Sequence, residues 1–221
     1  MKAGAIGGNG RDVRSTRPIR RAGPKRQRLS QEQRSALSRA ALMKSAVACI
    51  SELGCAEATV EVIARHAGLS RGAVRHHFGS RDELFAAVVN EFGSSLSTVD
   101  QIPDDLPLEK RLKMAIDLIW KRLKTPHFLA VVHIWLVLRH DPRMRPAIAK
   151  RVKQVEINLD AEWQRLFAQE GMAARNIAAT RRLVLATLRG LALRKLYFSG
   201  RAEWNDEIDT LKMLALNSLQ R

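Results

Sequence analysis

The chain has 221 residues and a formal charge of +16, with a sequence pI of about 11.0. It is 46% hydrophobic, enough to bury a core, and it lacks the run of about 18 apolar residues that would predict a membrane-spanning helix. Such a basic balance favours polyanionic partners, either nucleic acid or an anionic membrane surface. The N-terminus also lacks the apolar segment of a secretory signal, so we expect a cytoplasmic location.

Residues 1–29 predict a disordered basic arm, because they are rich in Gly, Arg and Pro and have no hydrophobic periodicity. The first 34 residues hold ten Lys and Arg against Asp12 and Glu32, whereas residues 35–99 hold six side chains of each sign. The arm is either a solvated tail or a source of phosphate and minor-groove contacts. The sequence leaves both interpretations open.

The first predicted helix starts near Gln33 and stops at Gly54, a residue that accepts the left-handed conformation of a helix end. Its apolar face includes Cys49, and Cys55 follows shortly after the predicted stop. We interpret the two cysteines as small buried residues in a reducing compartment, with a redox switch as the alternative. Their spacing matches no metal site, and no cofactor is expected.

A helix-turn-helix is predicted over residues 59–77. Thr59 caps a helix with apolar residues at i, i+3, i+4 and i+7, and Gly68 ends it. The three residues from Gly68 to Ser70 form a tight turn, and Ser70 caps the next helix, residues 71–78. The leading side chains of this second helix are small or polar, as a helix entering the major groove requires.

Beyond this motif the sequence predicts only helices, so the fold class is all-α. Ser80 and Glu83 have the pattern of a capping box that opens a fourth helix, and residues 100–107, with three acids and two prolines, predict a linker. Five helices then follow, over residues 108–123, 126 to about 139, 142 to about 170, 175–198 and 205–219.

The stretch TVEVIARHAGLSRGAVRHHFGSRDEL strongly resembles the DNA reader of tetracycline-repressor-type (TetR-family) regulators. Eleven positions carry the resemblance: Thr59, Ile63, Ala64, Ala67, Gly68, Ser70, Gly72, His77, Phe78, Arg81 and Leu84. The resemblance covers roughly residues 34–92. It implies a helix-turn-helix DNA-binding domain over residues 30–99 and a helical ligand-binding and dimerisation domain over residues 100–221.

Residue by residue, the resemblance implies two sets of DNA contacts. The base edges would be faced by Arg71, Gly72, Ala73 and Arg75. Phosphates would be approached by Thr59, Ser70, His76, His77 and Arg81. Arg71 is the best candidate for bidentate guanine recognition. Arg75 departs from the family pattern, which usually has a phosphate-contacting Tyr there, and we expect operator preference to differ at this position.

The resemblance also implies a homodimer and a small-molecule inducer. Apolar stripes in the last two helices fit either a four-helix bundle with a second subunit or a core within one chain, and Gly190 would allow close helix approach. The C-terminal half is more weakly similar to the choline-responsive betaine-pathway repressors. Candidate pocket residues, which also fit an ordinary core, are Trp120, Phe128, His133, Trp135, Trp163 and Phe167.

The sequence therefore predicts a DNA-binding transcriptional regulator, most simply a ligand-responsive dimeric repressor of a near-palindromic operator, with activation left open. An enzyme is not expected, because the chain has no His-Glu metal helix, nucleophile motif or phosphate loop. A non-specific nucleoid or membrane-surface protein, bound through charge alone, is the remaining alternative.

Overall fold

The computed structural model describes residues 30–141, 145–168, 172–197 and 204–220, so the predicted arm lies outside the described residues. These ranges fold into nine α-helices and a short 3-10 helix, Val99–Gln101, which confirms the all-α prediction. None of the described helices combines the length and apolarity needed to cross a bilayer. The helices are α1 (Gln31–Glu57), α2 (Val60–His66), α3 (Arg71–Phe78), α4 (Arg81–Ser95), α5 (Leu108–Leu123), α6 (Pro126–Leu138), α7 (Arg145–Phe167), α8 (Ala174–Tyr197) and α9 (Asn205–Leu219).

Helix α1 begins two residues before the predicted start and continues past the predicted stop. Ser30 caps it, and a complete capping box forms because the Ser30 and Gln33 side chains each accept the other's backbone N–H, at 3.1 and 2.9 Å. Gly54 breaks the helix with φ +80° and ψ 170°, but one further turn follows. Burial of Cys55 and Ala58 holds that turn against the core, so Gly54 is a kink and not the end.

Helices α2 and α3 are held by caps and by a few buried residues. Thr59 Oγ1 accepts the Val62 N–H at 3.2 Å, and Ser70 Oγ accepts the Ala73 N–H at 3.3 Å, as predicted. Ile63 and Val74 are almost fully buried and fix the inner faces of the two helices. The predicted turn between them has Gly68 at φ +66°, a left-handed conformation that glycine adopts without steric cost.

Helix α4 connects the helix-turn-helix to the rest of the protein, because it packs against α1 and α3 on one side and α6 and α7 on the other. Ser80 caps it by accepting the Glu83 N–H at 3.1 Å. The Glu83 carboxylate does not complete the predicted capping box and instead pairs with Arg151 of α7 at 2.6 Å. The buried side chains of α1–α4 are continuous with those of α5–α9 in one core.

The described residues of the second half follow the predicted helices with two local differences. Thr125 stands at the α6 cap position, but its hydroxyl donates to the Arg122 carbonyl at 2.7 Å. Helix α7 (Arg145–Phe167) ends three residues before the predicted end. The proline and glycines predicted to start or stop these helices, Pro142, Gly171 and Gly200, lie outside the described residues.

The apolar stripes of α8 and α9 pack inside the single chain. They are buried in this fold, with at most 8% of any side chain exposed: Val184, Leu188, Leu191, Ile208, Leu211, Ala215 and Leu219. Of the two interpretations that the sequence left open, the intrachain core therefore accounts for these stripes. Arg181, a buried charge on α8, pairs with Glu156 and Asp160 of α7 at 2.6 Å each.

Gly93 lies at a close approach of α4 to α7. A Cβ at this position would lie 2.8 Å from both γ-methyls of Val155, a side chain too stiff to move aside cheaply. We expect Gly93→Ala to lower the free energy of unfolding by about 1–3 kcal/mol through overpacking, measured by chemical denaturation at one protein concentration. Ser94→Ala, at the exposed neighbouring position, is the control. Equal stability of the two variants would contradict the tight contact.

Candidate DNA-binding site

The exposed face of α3 carries four of the residues that the sequence predicts to contact DNA. Arg71, Gly72, Arg75 and His76 are exposed and recur at i, i+1, i+4 and i+5, so they share one side of the helix. Val74 faces the opposite way and is 1% exposed. The helix is therefore anchored on its inner side and presents a basic, polar face outward, as a recognition helix must.

Gly72 has no structural role inside the chain that requires a glycine. A Cβ added there would meet only Ser70 Oγ, at an ordinary contact distance of 3.5 Å. Because Gly72 has no side chain, nothing projects from the exposed face of α3 at this position beside Arg71. Half-buried Ala73 has a similar effect on the flank of the helix. A low, small surface at the helix N-terminus lets a backbone approach another molecule closely.

Arg71 is joined to Glu61 across the turn between α2 and α3. Its Nη1 donates to Glu61 Oε1 at 2.6 Å, and both side chains are exposed, at 71% and 57%. This hydrogen bond is the main reason that the pKa of the Glu61 carboxyl lies below its usual value. Sequence reasoning missed Glu61, because ten residues separate the partners and no helical spacing links them.

Arg81 is bound to the chain itself. Its Nε donates to the Ala58 carbonyl at 3.2 Å, its Nη2 donates to the Cys55 carbonyl, and its guanidinium lies 4.7 Å from the centre of the Phe85 ring. These contacts close the gap that the kink at Gly54 leaves at the end of α1. The resemblance assigned Arg81 only a phosphate contact, and the fold gives it this structural role as well.

The two histidines at the end of α3 lie next to each other, with ring centres 4.8 Å apart. His77 is half-buried against Phe78. Desolvation, then the neighbouring charges of His76 and Arg39, lower the pKa of His77 below its usual value. The lowered pKa favours the neutral imidazole of His77, which can donate a hydrogen bond to a phosphate without carrying a charge.

The two cysteines are buried free thiols. Burial is the main cause that raises the pKa of Cys49, and it raises the pKa of Cys55 to about 11. Thiols of this kind are unreactive, because the thiolate is the nucleophile. Their surroundings favour the interpretation as small apolar residues over the redox switch. Within the described ranges, no three His, Cys, Asp or Glu side chains group closely enough to hold a metal.

A groove of about 920 Å³ lies where the helix-turn-helix domain meets the second half of the chain. We call it the junction groove. It is lined by α1 and α4 on one side and by the end of α5, the start of α6 and the end of α8 on the other. Of the six candidate pocket residues, Phe128 lines it.

The other five candidates lie elsewhere. Trp163 and Phe167 pack against each other in the core, with ring centres 4.8 Å apart. The chain's own cations cover two indoles: Lys124 lies 5.5 Å from the Trp120 ring centre, and the Arg189 guanidinium lies 5.0 Å from that of Trp135. His133 lies beneath the kink, with its Nδ1 3.9 Å from the position of a Cβ on Gly54.

Comparison with known proteins agrees with this geometry. A family model described as bacterial regulatory proteins, tetR family, matches residues 42–88. The HTH-type transcriptional regulator BetI 2 of Chromohalobacter salexigens is 31% identical over 152 residues, which cover 65% of this chain and 73% of that protein. The HTH-type transcriptional repressor AcnR of Corynebacterium glutamicum is 37% identical over 62 residues, 28% of this chain and 33% of its own length.

Comparison with solved structures finds a similar fold over a larger share of the chain than the sequence matches cover. Salmonella enterica GusR superposes with a TM-score of 0.67 at 20% identity, covering 87% of this chain and 99% of that one. The shared fold thus extends well beyond the helix-turn-helix into the second half. Together with the capped α2–turn–α3 unit and the 31% identity to BetI 2, it shows that this chain is a DNA-binding transcriptional regulator of the TetR family.

Proposed function

We propose that this regulator is a dimeric repressor that binds a near-palindromic operator and releases it when a small molecule binds. Residues 30–99 would read the DNA, and residues 100–221 would dimerise and respond to the ligand. The observation that carries the proposal is the outward face of α3, on which two arginines flank Gly72. Binding through such a face should weaken steeply as salt rises, because phosphate contacts release counterions.

Within this proposal the DNA contacts divide by position on the helix-turn-helix. Base edges are contacted from the leading turns of α3 by Arg71, Gly72, Ala73 and Arg75. Phosphates are contacted by Thr59, Ser70, His76, His77 and Arg81. Arg71 is the first residue of α3, the position that enters the groove deepest, and its planar guanidinium matches the O6 and N7 acceptors of guanine.

Replacement of Arg71 tests base recognition. We expect Arg71→Ala to lose roughly 1–3 kcal/mol of discrimination at the contacted base pair while much of its general DNA affinity remains. The operator is first identified by genome-wide mapping of bound sites. The measurement is then the ratio of the dissociation constant for this operator to that for a scrambled duplex. Arg165→Ala, an exposed arginine on α7, removes the same charge as a control. An unchanged ratio in Arg71→Ala would rule out the base-reading role.

The proposed dimer uses a surface beside the buried stripes of α8 and α9. On α8, Leu183, Ala186, Thr187 and Gly190 are exposed at i, i+3, i+4 and i+7, and Leu183 is 66% exposed. A Cβ on Gly190 would meet no atom within 4 Å of this chain. Such a small, apolar face suits close packing against its own copy in a four-helix bundle.

The same surface continues on α9. Thr180 Oγ1 and Ser218 Oγ lie 2.9 Å apart, which sets the register of the two antiparallel helices. In that register Leu214, 58% exposed, stands level with Leu183. Its neighbours one turn away on either side, Thr210 and Asn217, are also exposed. The two leucines therefore mark the centre of the proposed dimer face.

A charge at this centre tests the dimer. We expect the Leu183→Glu, Leu214→Glu double variant to sediment as a monomer, because carboxylates would be buried against their own copies. Its operator affinity should fall about a hundredfold or more as the second half-site contact is lost. Leu136→Glu, at an equally exposed leucine of α6, should remain dimeric. A dimeric double variant would show that the chains associate elsewhere.

The proposed ligand site is the junction groove. Its volume lies within the range of small-molecule sites, about 300–1,000 Å³, and its walls belong both to the helix-turn-helix domain and to the second half. A ligand seated there would favour one relative position of the two parts, and could thereby move the recognition helices out of register with successive major grooves.

Filling the groove tests this site. The candidate ligands are the substrates of enzymes and transporters encoded beside the mapped operators. Each compound is assayed for release of the operator, and we expect at least one to weaken operator binding about tenfold. Ala48→Phe, which places a ring in the groove, should blunt that release while ligand-free operator affinity remains. Ala161→Phe, on the exposed face of α7, should respond like the unmodified chain. Release that is insensitive to Ala48→Phe would place the ligand elsewhere, and release by no compound would contradict ligand response.

A further inference from the structure

The ion pair between Arg71 of α3 and Glu61 of α2 places an acidic side chain beside the proposed base-reading arginine. We propose that Glu61 is a positioning residue that sets the base preference of Arg71 and disfavours binding to unrelated DNA. The inference rests on the proposed base-reading role of Arg71. It concerns a residue that makes no favourable contact with DNA of its own, because a carboxylate is repelled by phosphates.

The geometry leaves Arg71 able to bind Glu61 and a base together. Only Nη1 takes part in the 2.6 Å contact with Glu61 Oε1. A guanidinium has five N–H donors, so the edge formed by Nε and Nη2 can still make two parallel hydrogen bonds. That edge is the one suited to O6 and N7 of guanine. Glu61 thus restrains one end of an exposed, flexible side chain and takes up none of the donors on the Nε–Nη2 edge.

The strength of this ion pair depends on the surrounding solvent. Arg71 and Glu61 are 71% and 57% exposed, so water screens the pair in the free protein and it adds little to stability. Docking on DNA removes that water and strengthens the attraction between the partners. The pair is therefore better suited to orienting Arg71 in the complex than to holding α2 and α3 together.

Glu61 also acts against the wrong mode of binding. If Arg71 turned toward a phosphate of an unrelated sequence, the carboxylate would be left unpaired beside the DNA backbone. Such an uncompensated charge weakens the complex. Where a guanine lies in reach, Arg71 keeps both partners and this penalty is absent. Sequence preference is a difference between two affinities, so a group that weakens the wrong complex raises it.

A purely structural role for Glu61 makes a different prediction. The residue lies in the first turn of α2, where a negative charge is favourable next to the helix N-terminus. Loss of that contribution would lower the unfolding midpoint and would weaken all DNA complexes equally. The ratio of operator to random-duplex affinity therefore separates positioning from structural support.

The experiment compares Glu61→Gln, Glu61→Ala, Arg71→Ala and the Glu61→Gln, Arg71→Ala double variant in the full-length chain. Dissociation constants are measured at fixed salt for the mapped operator and for a scrambled duplex of the same length. We expect both Glu61 variants to bind the scrambled duplex more tightly and to lose about two- to fivefold in the affinity ratio per half-site. Asp104→Asn, at an exposed acid of the 100–107 segment, removes the same charge and should leave the ratio unchanged.

The double variant shows whether Glu61 acts through Arg71. In the Arg71→Ala background, Glu61→Gln should change the ratio no further. A normal ratio in both Glu61 variants, or a change that persists without Arg71, would overturn the positioning role even where Arg71→Ala alone loses discrimination. If Arg71→Ala keeps its discrimination, the base-reading role fails and the role of Glu61 fails with it.

Discussion

The DNA-binding surface depends on two helices that are too short to be stable by themselves. Helices α2 and α3 have seven and eight residues, well below the length at which an isolated helix persists in water. Their shape therefore comes from what surrounds them: a hydroxyl cap at each N-terminus, a few buried side chains, and the left-handed glycine between them. The position of the recognition helix is thus a property of the whole domain.

That dependence explains why the contacts around α2 and α3 are so specific. Arg81 of α4 donates to the carbonyls of Cys55 and Ala58, just before the α2 cap, and so fixes where α2 begins. On the other side, the Arg39 guanidinium of α1 lies 4.9 Å from the centre of the Phe78 ring at the end of α3. Both ends of the unit are thereby tied to α1 and α4. A shift of either long helix would be passed directly to the surface that meets DNA.

The same two helices pack against the second half, α1 against α6, and α4 against α6 and α7. The His127 ring of α6 hydrogen-bonds with its Nε2 to the Val88 carbonyl of α4 at 2.9 Å. Just after α4, Thr98 donates its backbone N–H and its hydroxyl to the buried Glu162 of α7, at 2.6 and 3.1 Å. A buried carboxylate with two donors strongly favours one arrangement over others. The second half can therefore influence α3 through α1 and α4, which contact both.

The sequence predicted the features of this fold that are local in the chain. The Thr59 and Ser70 caps and the Gly68 turn each depend on residues within about four positions of one another, and all three are present. Features set by distant partners could not be predicted. Burial of Cys55 carries the chain past Gly54, and the carboxylate of Glu83 finds Arg151, 68 residues away, in place of its own helix end.

Side-chain roles were harder to predict than helices, for the same reason. Periodicity predicts that Leu188 lies on the buried face of α8 and Leu211 on that of α9. It does not show whether a helix of the same chain or of a second copy covers these faces. In the structure, the same chain buries both leucines. The aromatic residues likewise suggested one ligand pocket. In the structure, Trp163 is buried in the core, and the Trp135 ring is covered by the Arg189 guanidinium. Composition shows which side chains a region can bury. The partner against which each side chain packs depends on the tertiary structure.

Charge has to be considered at the level of single pairs. The whole basic excess lies outside residues 35–99, where six basic and six acidic side chains balance. A surface that bound DNA by attraction alone would gain from losing every acid, whereas an acid beside the leading arginine serves a surface that discriminates between sequences. The exposed Arg71–Glu61 pair contributes little to either stability or general attraction. Its position at the turn, where only one guanidinium nitrogen is used, gives it the means to discriminate between sequences.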